Sequence, residues 1–144
     1  MSNTNHPASN GSHWNGEMPR VRRVALYLRA GMTCEACGRS AMSRRLRLSL
    51  DHLRAVSLGG SNADGNLVML CLSCNCSKGK LSLKAWLSKG GHSRRGLAAP
   101  AVVVERALRA QAARPLANYR AAAEQVVKAE NRRRYQREKA SRAA

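Results

Sequence analysis

The spacing of apolar residues predicts an amphipathic helix near the start of the folded chain. Apolar side chains recur at helical intervals from Val21 to Leu28, which places them on one face of a helix. Pro19 before this segment and Gly31 after it are typical of helix boundaries. The opposite face carries three arginines, which either contact phosphate or face solvent: Arg22, Arg23 and Arg29.

A second pattern predicts a hairpin of two short strands. Apolar and polar residues alternate from Leu46 to Leu50, the period of a half-buried strand, and His52 falls on the side of the leucines. Residues 57–66, SLGGSNADGN, predict a loop, because glycines adopt positive φ and Asn and Asp side chains close local turns. A second apolar strand follows from Asn66 to Leu70.

The rest of the chain predicts helices. A short helix ends at Gly79, and a second begins after Ser82 as its N-cap. Trp86 lies at helical spacing with leucines, so it is expected to pack in the core rather than to stack on a base of DNA. Sequence rich in Ala, Arg and Glu predicts long helices over about residues 101–113 and 116–140.

Composition divides the chain into three parts. Residues 1–19 are rich in Asn, Ser and Gly and predict a disordered leader, residues 20–91 form the expected domain, and residues 92–144 form a basic helical tail. The formal net charge of +18 predicts a polyanionic partner such as DNA or RNA. The segment RRRYQREK in the tail either binds phosphate or forms a solvated helix.

Two cysteine pairs predict a structural metal site. CEAC and CLSC each offer two thiolates to one ion, and four thiolates suit tetrahedral zinc better than a redox dithiol. No signal-peptide pattern or membrane-spanning apolar run is present, so a reducing cytoplasm is the expected location. The expected zinc ligands are Cys34, Cys37, Cys71 and Cys74.

Four polar residues accompany this frame: Asp51, His52, Asn66 and Asn75. Taken singly, each could cap a turn or satisfy a backbone group. An imidazole with an ordinary pKa of about 6.5 also suits general-base chemistry near neutral pH. On the residues alone, the four side chains either cap turns or form a site that binds and reacts.

The order of these motifs resembles the zinc-framed HNH endonucleases. CxxCG, DH, GG, NL and LCxxCNxxKG follow one another between about Val24 and Lys80. The resemblance implies an α+β fold, with a small ββα-metal (HNH) core and a four-cysteine structural zinc site, flanked by helices and the basic helical tail. Many relatives have histidine where this chain has Asn75, and a neutral amide is a weaker metal ligand.

The resemblance also implies a role for each residue. His52 would be the general base, Asn66 would orient it, and Asp51 and Asn75 would hold a catalytic divalent ion, Mg²⁺ or Mn²⁺, in addition to the structural Zn²⁺. Two lysines just after the second cysteine pair would contact nucleic acid: Lys78 and Lys80.

The implied activity is hydrolysis of DNA phosphodiester bonds to give 5′-phosphate and 3′-hydroxyl ends. Small enzymes of this family occur in phages, mobile elements and restriction systems, so a phage packaging or restriction component is a candidate protein partner, and a membrane partner is not expected. Two alternatives stay open. One is a non-catalytic, zinc-stabilised module that binds nucleic acid, and the other is a basic RNA- or ribosome-associated protein.

Overall fold

Two strands and six helices form the part of the protein that the structure, a computed structural model, describes: residues 18–44, 46–90 and 101–143, without side-chain detail at 43 and 44. Two 3₁₀ turns lie between the strands, at Val56–Leu58 and Asp64–Asn66. The elements in chain order are α1 (Arg20–Arg29), α2 (Ala41–Arg44), β1 (Leu48–His52), β2 (Leu67–Cys71), α3 (Leu72–Lys78), α4 (Leu83–Ser88), α5 (Ala101–Ala112) and α6 (Ala117–Arg142).

The two strands form an antiparallel hairpin. Leu48 pairs with Cys71 at one end, and His52 pairs with Leu67 at the other. Every residue of β2 is buried, whereas burial along β1 is uneven. The predicted hairpin is confirmed, and it places Asp51 and His52 where β1 enters the connecting loop.

Helix α3 follows β2 directly and completes a ββα unit. Cys71 caps it, because its sulfur accepts a hydrogen bond from the backbone N–H of Cys74. The helix ends at Gly79, whose φ of +50° is a conformation that favours glycine. Helix α3 packs against both strands, and the predicted α+β class with its ββα core is confirmed.

Helix α1 is buried on two sides, not one. Leu26 and, just after the helix, Ala30 belong to the main core with the strands, whereas Val24 and Ala25 form a second cluster with Ala123 of α6. The apolar face that the sequence predicts therefore contacts α6, and residues between its apolar positions contact the ββα unit.

Two of the three arginines on α1 differ from their expected roles. Arg29 is only 2% exposed and donates to the carbonyl oxygens of Asp64, Leu67 and Ala112. Arg22 forms an ion pair with Asp64 at 2.7 Å. Both guanidinium groups hold other parts of the chain, and Arg29 has the several acceptors that a buried guanidinium needs. Arg23 is exposed as expected.

The C-terminal helices pack against the rest of the protein, unlike the separate tail that the sequence predicts. Val104 and Leu108 of α5 are buried in the main core, and α6 packs along α1. From residue 131 to residue 143 all side chains are exposed. The leader predicted at 1–19 lies outside the described residues except for its last two, of which Met18 is buried in the core.

Trp86 confirms its predicted place in the core. It is 1% exposed, and its indole N–H donates to the hydroxyl of Ser77 at 3.0 Å. Among the described helices, none is both long and apolar enough to cross a bilayer.

Candidate zinc centre and active site

The four predicted zinc ligands come together in the structure. Their sulfur atoms all lie within 4.8 Å of one another, and all four residues are buried: Cys34, Cys37, Cys71 and Cys74. Zinc with Zn–S bonds of about 2.3 Å holds its ligands about 3.8 Å apart in a tetrahedron. The sulfurs of Cys37 and Cys71 are 3.8 Å apart, so the cluster fits a structural zinc ion.

Local backbone geometry builds each half of this cluster. The N–H of Cys37 donates to the sulfur of Cys34 at 3.5 Å, and the N–H of Cys74 donates to the sulfur of Cys71 at 3.4 Å. Gly38 follows the first pair at a φ of +69°, a conformation that a side chain disfavours. The CxxC spacing, with these N–H to sulfur bonds, therefore directs both sulfurs of each pair to the shared cluster.

A guanidinium group lies against the sulfur cluster. Arg39 donates to the sulfurs of Cys37 and Cys71 at 3.3 and 3.4 Å. A hydrogen bond from Cys74 lowers the pKa of Cys34 to about 4, and the hydrogen bond to Cys34 raises the pKa of Cys74. Because one thiolate disfavours the next, four thiolates together need a cation. The sequence prediction missed Arg39, which supplies part of that positive charge.

Glu35 joins the first cysteine pair to β2. Its N–H donates to the carbonyl of Met69 at 2.9 Å, and its carboxylate accepts from the N–H of Met69. Burial raises the pKa of this carboxyl to about 7. Through these two bonds the CEAC segment is attached to the strand that leads into the second cysteine pair.

Asp51 and Lys78 form a buried ion pair between β1 and α3. The Lys78 Nζ lies 3.1 Å from the Asp51 Oδ2, and the two side chains are 1% and 5% exposed. Within the described residues, neither atom has a further hydrogen-bond partner. The sequence prediction placed Lys78 at the nucleic acid, but its burial removes it from that surface; Lys80, two residues later, is exposed.

Asn75 lies one helical turn before Lys78 and contacts the same strand. Its Nδ2 donates to the hydroxyl of Ser49 at 2.7 Å, and Ser49 is two residues before Asp51. Residues two apart share one face of a strand, and residues three apart share one face of a helix. Asp51 and Asn75 therefore belong to one β1–α3 interface.

The imidazole of His52 has a different partner from the predicted one. Its Nε2 lies 2.9 Å from the Oδ1 of Asn62. His52 is 1% exposed, whereas Asn62 is an exposed residue of the loop. Sequence reasoning missed Asn62 because a loop of polar residues gives no sign of which one turns inward.

Asn66 instead closes the loop on itself. Its Oδ1 accepts from the N–H of Arg54 at 2.9 Å, and its Nδ2 donates to the carbonyls of Arg54 and Ser61 at 3.0 and 2.8 Å. These three bonds use both N–H donors and one of the two oxygen lone pairs of the amide. Asn66 thus fixes the two ends of the loop, and its contact with the imidazole, predicted from the resemblance, is made by Asn62.

Gly60 permits the close approach that this loop requires. A Cβ atom at this position would lie 1.8 Å from the carbonyl oxygen of Arg54, which no side chain can tolerate. Its N–H donates to the carbonyl of Ala55 at 3.0 Å. Contact of backbone with backbone therefore explains Gly60, and a φ of +80° explains the preceding Gly59.

Comparison with known proteins agrees with the geometry. Residues 34–81, about a third of the chain, match the family model described as HNH endonuclease. Searches of curated proteins and of solved structures gave no match. The matched segment runs from the first zinc ligand through the polar hairpin to the residues after α3. Residues 34–81 are therefore similar to HNH endonuclease domains, and the four-cysteine cluster that fits zinc frames this segment.

Proposed function

We propose that this protein is a metal-dependent DNA endonuclease that hydrolyses phosphodiester bonds to leave 5′-phosphate and 3′-hydroxyl ends. The observation that carries the proposal is the placement of His52 beside Asp51 at the end of β1, within the HNH segment. Asn75 faces the same strand from α3. A base and two oxygen donors are thus provided by one small ββα unit.

His52 acts as the general base in this proposal. If its Nε2 donates to the Asn62 carbonyl oxygen, the imidazole lone pair is on Nδ1, which then accepts the proton of the attacking water. Holding one tautomer matters because the wrong tautomer presents an N–H instead of a lone pair. Asn62 is therefore the residue that orients the base, and Asn66 maintains the loop that carries Asn62.

Asp51 and Asn75 fit a hard divalent ion by the chemistry of their oxygen atoms. Such an ion supplies electrostatic stabilisation of the charge that develops on the phosphate. The ammonium group of Lys78, at 3.1 Å from the Asp51 carboxylate, offsets part of its negative charge. We therefore expect weaker binding of Mg²⁺ or Mn²⁺ than at an unpaired carboxylate.

The exposed end of α6 is the proposed DNA-binding arm. Residues 131–142 contain six basic side chains and one acidic side chain, and all are exposed. Tyr135 is 63% exposed among them, available to contact sugar or base. Lys80 adds a further exposed cation close to α3. Charge of this density binds the DNA backbone mainly by counterion release.

The DNA-binding arm predicts a specific dependence on salt. Each phosphate contact contributes about 0.9 to the slope of log binding constant against log salt concentration. Replacing three arginines by glutamine should therefore reduce the slope by up to about 2.7 in fluorescence anisotropy with duplex DNA: Arg132, Arg133 and Arg134. Lys80→Gln should reduce it by about 1, and an unchanged slope in the triple variant would exclude the arm.

A non-catalytic module that binds nucleic acid is the second candidate, and one observation favours it. His52 and Asp51 are only 1% and 3% exposed, and Asp51 already has a cationic partner in Lys78. A base this deeply buried reaches a phosphodiester only if covering residues move. In the non-catalytic alternative, the buried groups only stabilise the hairpin.

Cleavage of supercoiled plasmid in Mg²⁺ or Mn²⁺ separates the two candidates. The wild type should nick or linearise the plasmid, and EDTA should stop the reaction. His52→Asn, chosen because a smaller polar side chain suits a buried site, should lower the rate by at least about 100-fold. His13→Ala, outside the domain, is the matched control and should cut normally.

Two further results of this experiment carry information. Nicks that DNA ligase reseals confirm the 5′-phosphate and 3′-hydroxyl ends. Binding of the plasmid by wild type and His52→Asn, with no cleavage by either at equal folding by circular dichroism, would establish the non-catalytic module instead.

A further inference from the structure

Helix α1 contacts the loop that carries Asn62, although α1 lies outside the matched HNH segment. Arg22 donates through Nη2 to the backbone carbonyl of Asn62, and through Nε and Nη2 to the carboxylate of Asp64 at 3.0 and 2.7 Å. One guanidinium group thus holds two loop residues that flank Ala63.

Arg29, two turns further along α1, holds the same loop from its buried side. It donates to the carbonyl of Asp64 at 3.0 Å and also to carbonyls of β2 and the end of α5. Its carbon chain and guanidinium are fully enclosed at 2% exposure. Asp64 is therefore held at its side chain by Arg22 and at its backbone by Arg29.

Helix α1 is itself fixed by α6. Ala25 packs in one cluster with Ala123, and Arg20 forms an ion pair with Glu130 at 2.8 Å. The packing of α1 against α6 therefore holds the two arginines of α1 in place. Without this support, the backbone of the exposed loop at Asn62 would sample more conformations, and the Asn62 side chain would be held less firmly against His52.

We infer that α1 positions the general base: Arg22 fixes the backbone of Asn62 and Asp64, and Asn62 in turn holds the imidazole of His52 by its Nε2. This inference rests on the proposed function of His52. It makes Asn62 and Arg22 positioning residues, since His52 alone meets the reacting water. It also assigns a role in the active site to a helix that the family match does not include.

Asn62 contacts the imidazole directly and Arg22 acts through Asn62, so replacing Asn62 should lower kcat more than replacing Arg22. Asn62→Ala removes the acceptor itself and should lower kcat by about 100-fold, the scale of a misplacement of about 1 Å. Arg22→Gln leaves Asn62 in place but loosens its backbone, so it should lower kcat by about 10-fold. KM should change less than kcat in both variants, because neither residue is expected to contact DNA.

Conservative and control variants distinguish positioning from a loss of folding. Asn62→Asp keeps an acceptor oxygen at the same place, so it should retain more of kcat than Asn62→Ala. Arg23→Gln removes an exposed arginine from the same turn of α1 and should leave kcat unchanged. The combined Asn62→Ala and Arg22→Gln variant should be no slower than Asn62→Ala, because both changes act through one contact.

The test that does not depend on cleavage is the tautomer of His52. In protein labelled with ¹⁵N-histidine, the spectrum of His52→Asn identifies the His52 signals among the four histidines. Wild type and Asn62→Asp should show the proton on Nε2, and Asn62→Ala should show mixed tautomers. Arg22→Gln should show partial mixing, and Arg23→Gln should match the wild type.

The outcomes separate the inference from the proposed function. A pure Nε2–H tautomer in Asn62→Ala, or a normal kcat in a folded Asn62→Ala protein, would overturn the inference while cleavage by the wild type continued. A wild type that does not cut DNA, combined with the predicted tautomer changes, would overturn the proposed function and leave the positioning contact established.

Discussion

The two ends of the β1–β2 hairpin are built by different kinds of contact. The Leu48–Cys71 end adjoins the sulfur cluster, and the His52–Leu67 end carries the polar site. The two ends are about 13 Å apart along the strands, given a rise of about 3.3 Å per residue. One short hairpin therefore separates the part that stabilises the fold from the part proposed to react.

The difference lies in how far along the chain each contact reaches. At the zinc end, each cysteine pair is shaped by an N–H to sulfur bond across three residues. At the polar end, Asp51 pairs with Lys78 of α3. Arg22 of α1 pairs with Asp64, and these two residues are 42 positions apart in the sequence. Local spacing therefore sets the geometry within each cysteine pair, whereas the meeting of the two pairs, like the polar end, depends on contacts between distant segments.

The largest expected effect is the loss of a zinc ligand. Structural zinc contributes roughly 10–16 kcal/mol in small zinc domains, which equals or exceeds the net stability of most domains, about 5–15 kcal/mol. Cys34→Ala should therefore unfold the domain and disrupt both ends of the hairpin. Thermal melting and zinc analysis should show both losses.

Cys76→Ala is the matched control for this variant, because Cys76 is exposed and outside the sulfur cluster. It should keep the metal and the wild-type melting temperature. Cys34→Ala that still bound zinc and melted normally would show that the cluster is not the element that stabilises the hairpin.

The next largest effect concerns the polar end alone. Lys78→Met leaves the Asp51 carboxylate buried without a partner, which should destabilise the fold by about 3–5 kcal/mol. Combining it with Asp51→Leu should recover most of this loss, because an apolar pair replaces the ion pair. Lys80→Met, at an exposed position, should leave the unfolding free energy nearly unchanged.

Urea unfolding with and without Mg²⁺ sharpens this comparison. If Asp51 is a ligand of the divalent ion, Mg²⁺ should stabilise Lys78→Met more than the wild type, because the ion can replace the missing ammonium charge. Equal stabilisation of both proteins would argue that Asp51 serves the ion pair only.

The smallest expected effect concerns the residue that flanks the sulfurs. Arg39→Gln removes a guanidinium that donates to Cys37 and Cys71, and the loss of such an outer partner typically weakens metal affinity by about 10- to 100-fold. Competition with a chromogenic zinc chelator should show this change. Plasmid cleavage by the zinc-loaded protein should stay at the wild-type rate, and a large loss would mean that the two ends are coupled.

Local pattern was enough to predict several parts of this structure. The CxxC pairs, the alternating leucines of β1, the Ser82 cap and the boundaries of α5 and α6 all depend on residues a few positions apart. Backbone geometry converts such spacings directly into strands, helices and cysteine pairs. The order of DH, GG and NL placed the polar residues correctly around one hairpin.

Partners brought together from distant parts of the chain were decided by tertiary structure alone. A sequence does not show whether an arginine or lysine faces solvent or lies in the core. Arg29 is buried because backbone carbonyl oxygens accept its hydrogen bonds, and Lys78 is buried because it pairs with Asp51. Likewise, the loop offers several polar side chains, and the fold selects Asn62 for the imidazole. Spacing fixes what neighbours in sequence can do, but only packing determines which distant groups meet.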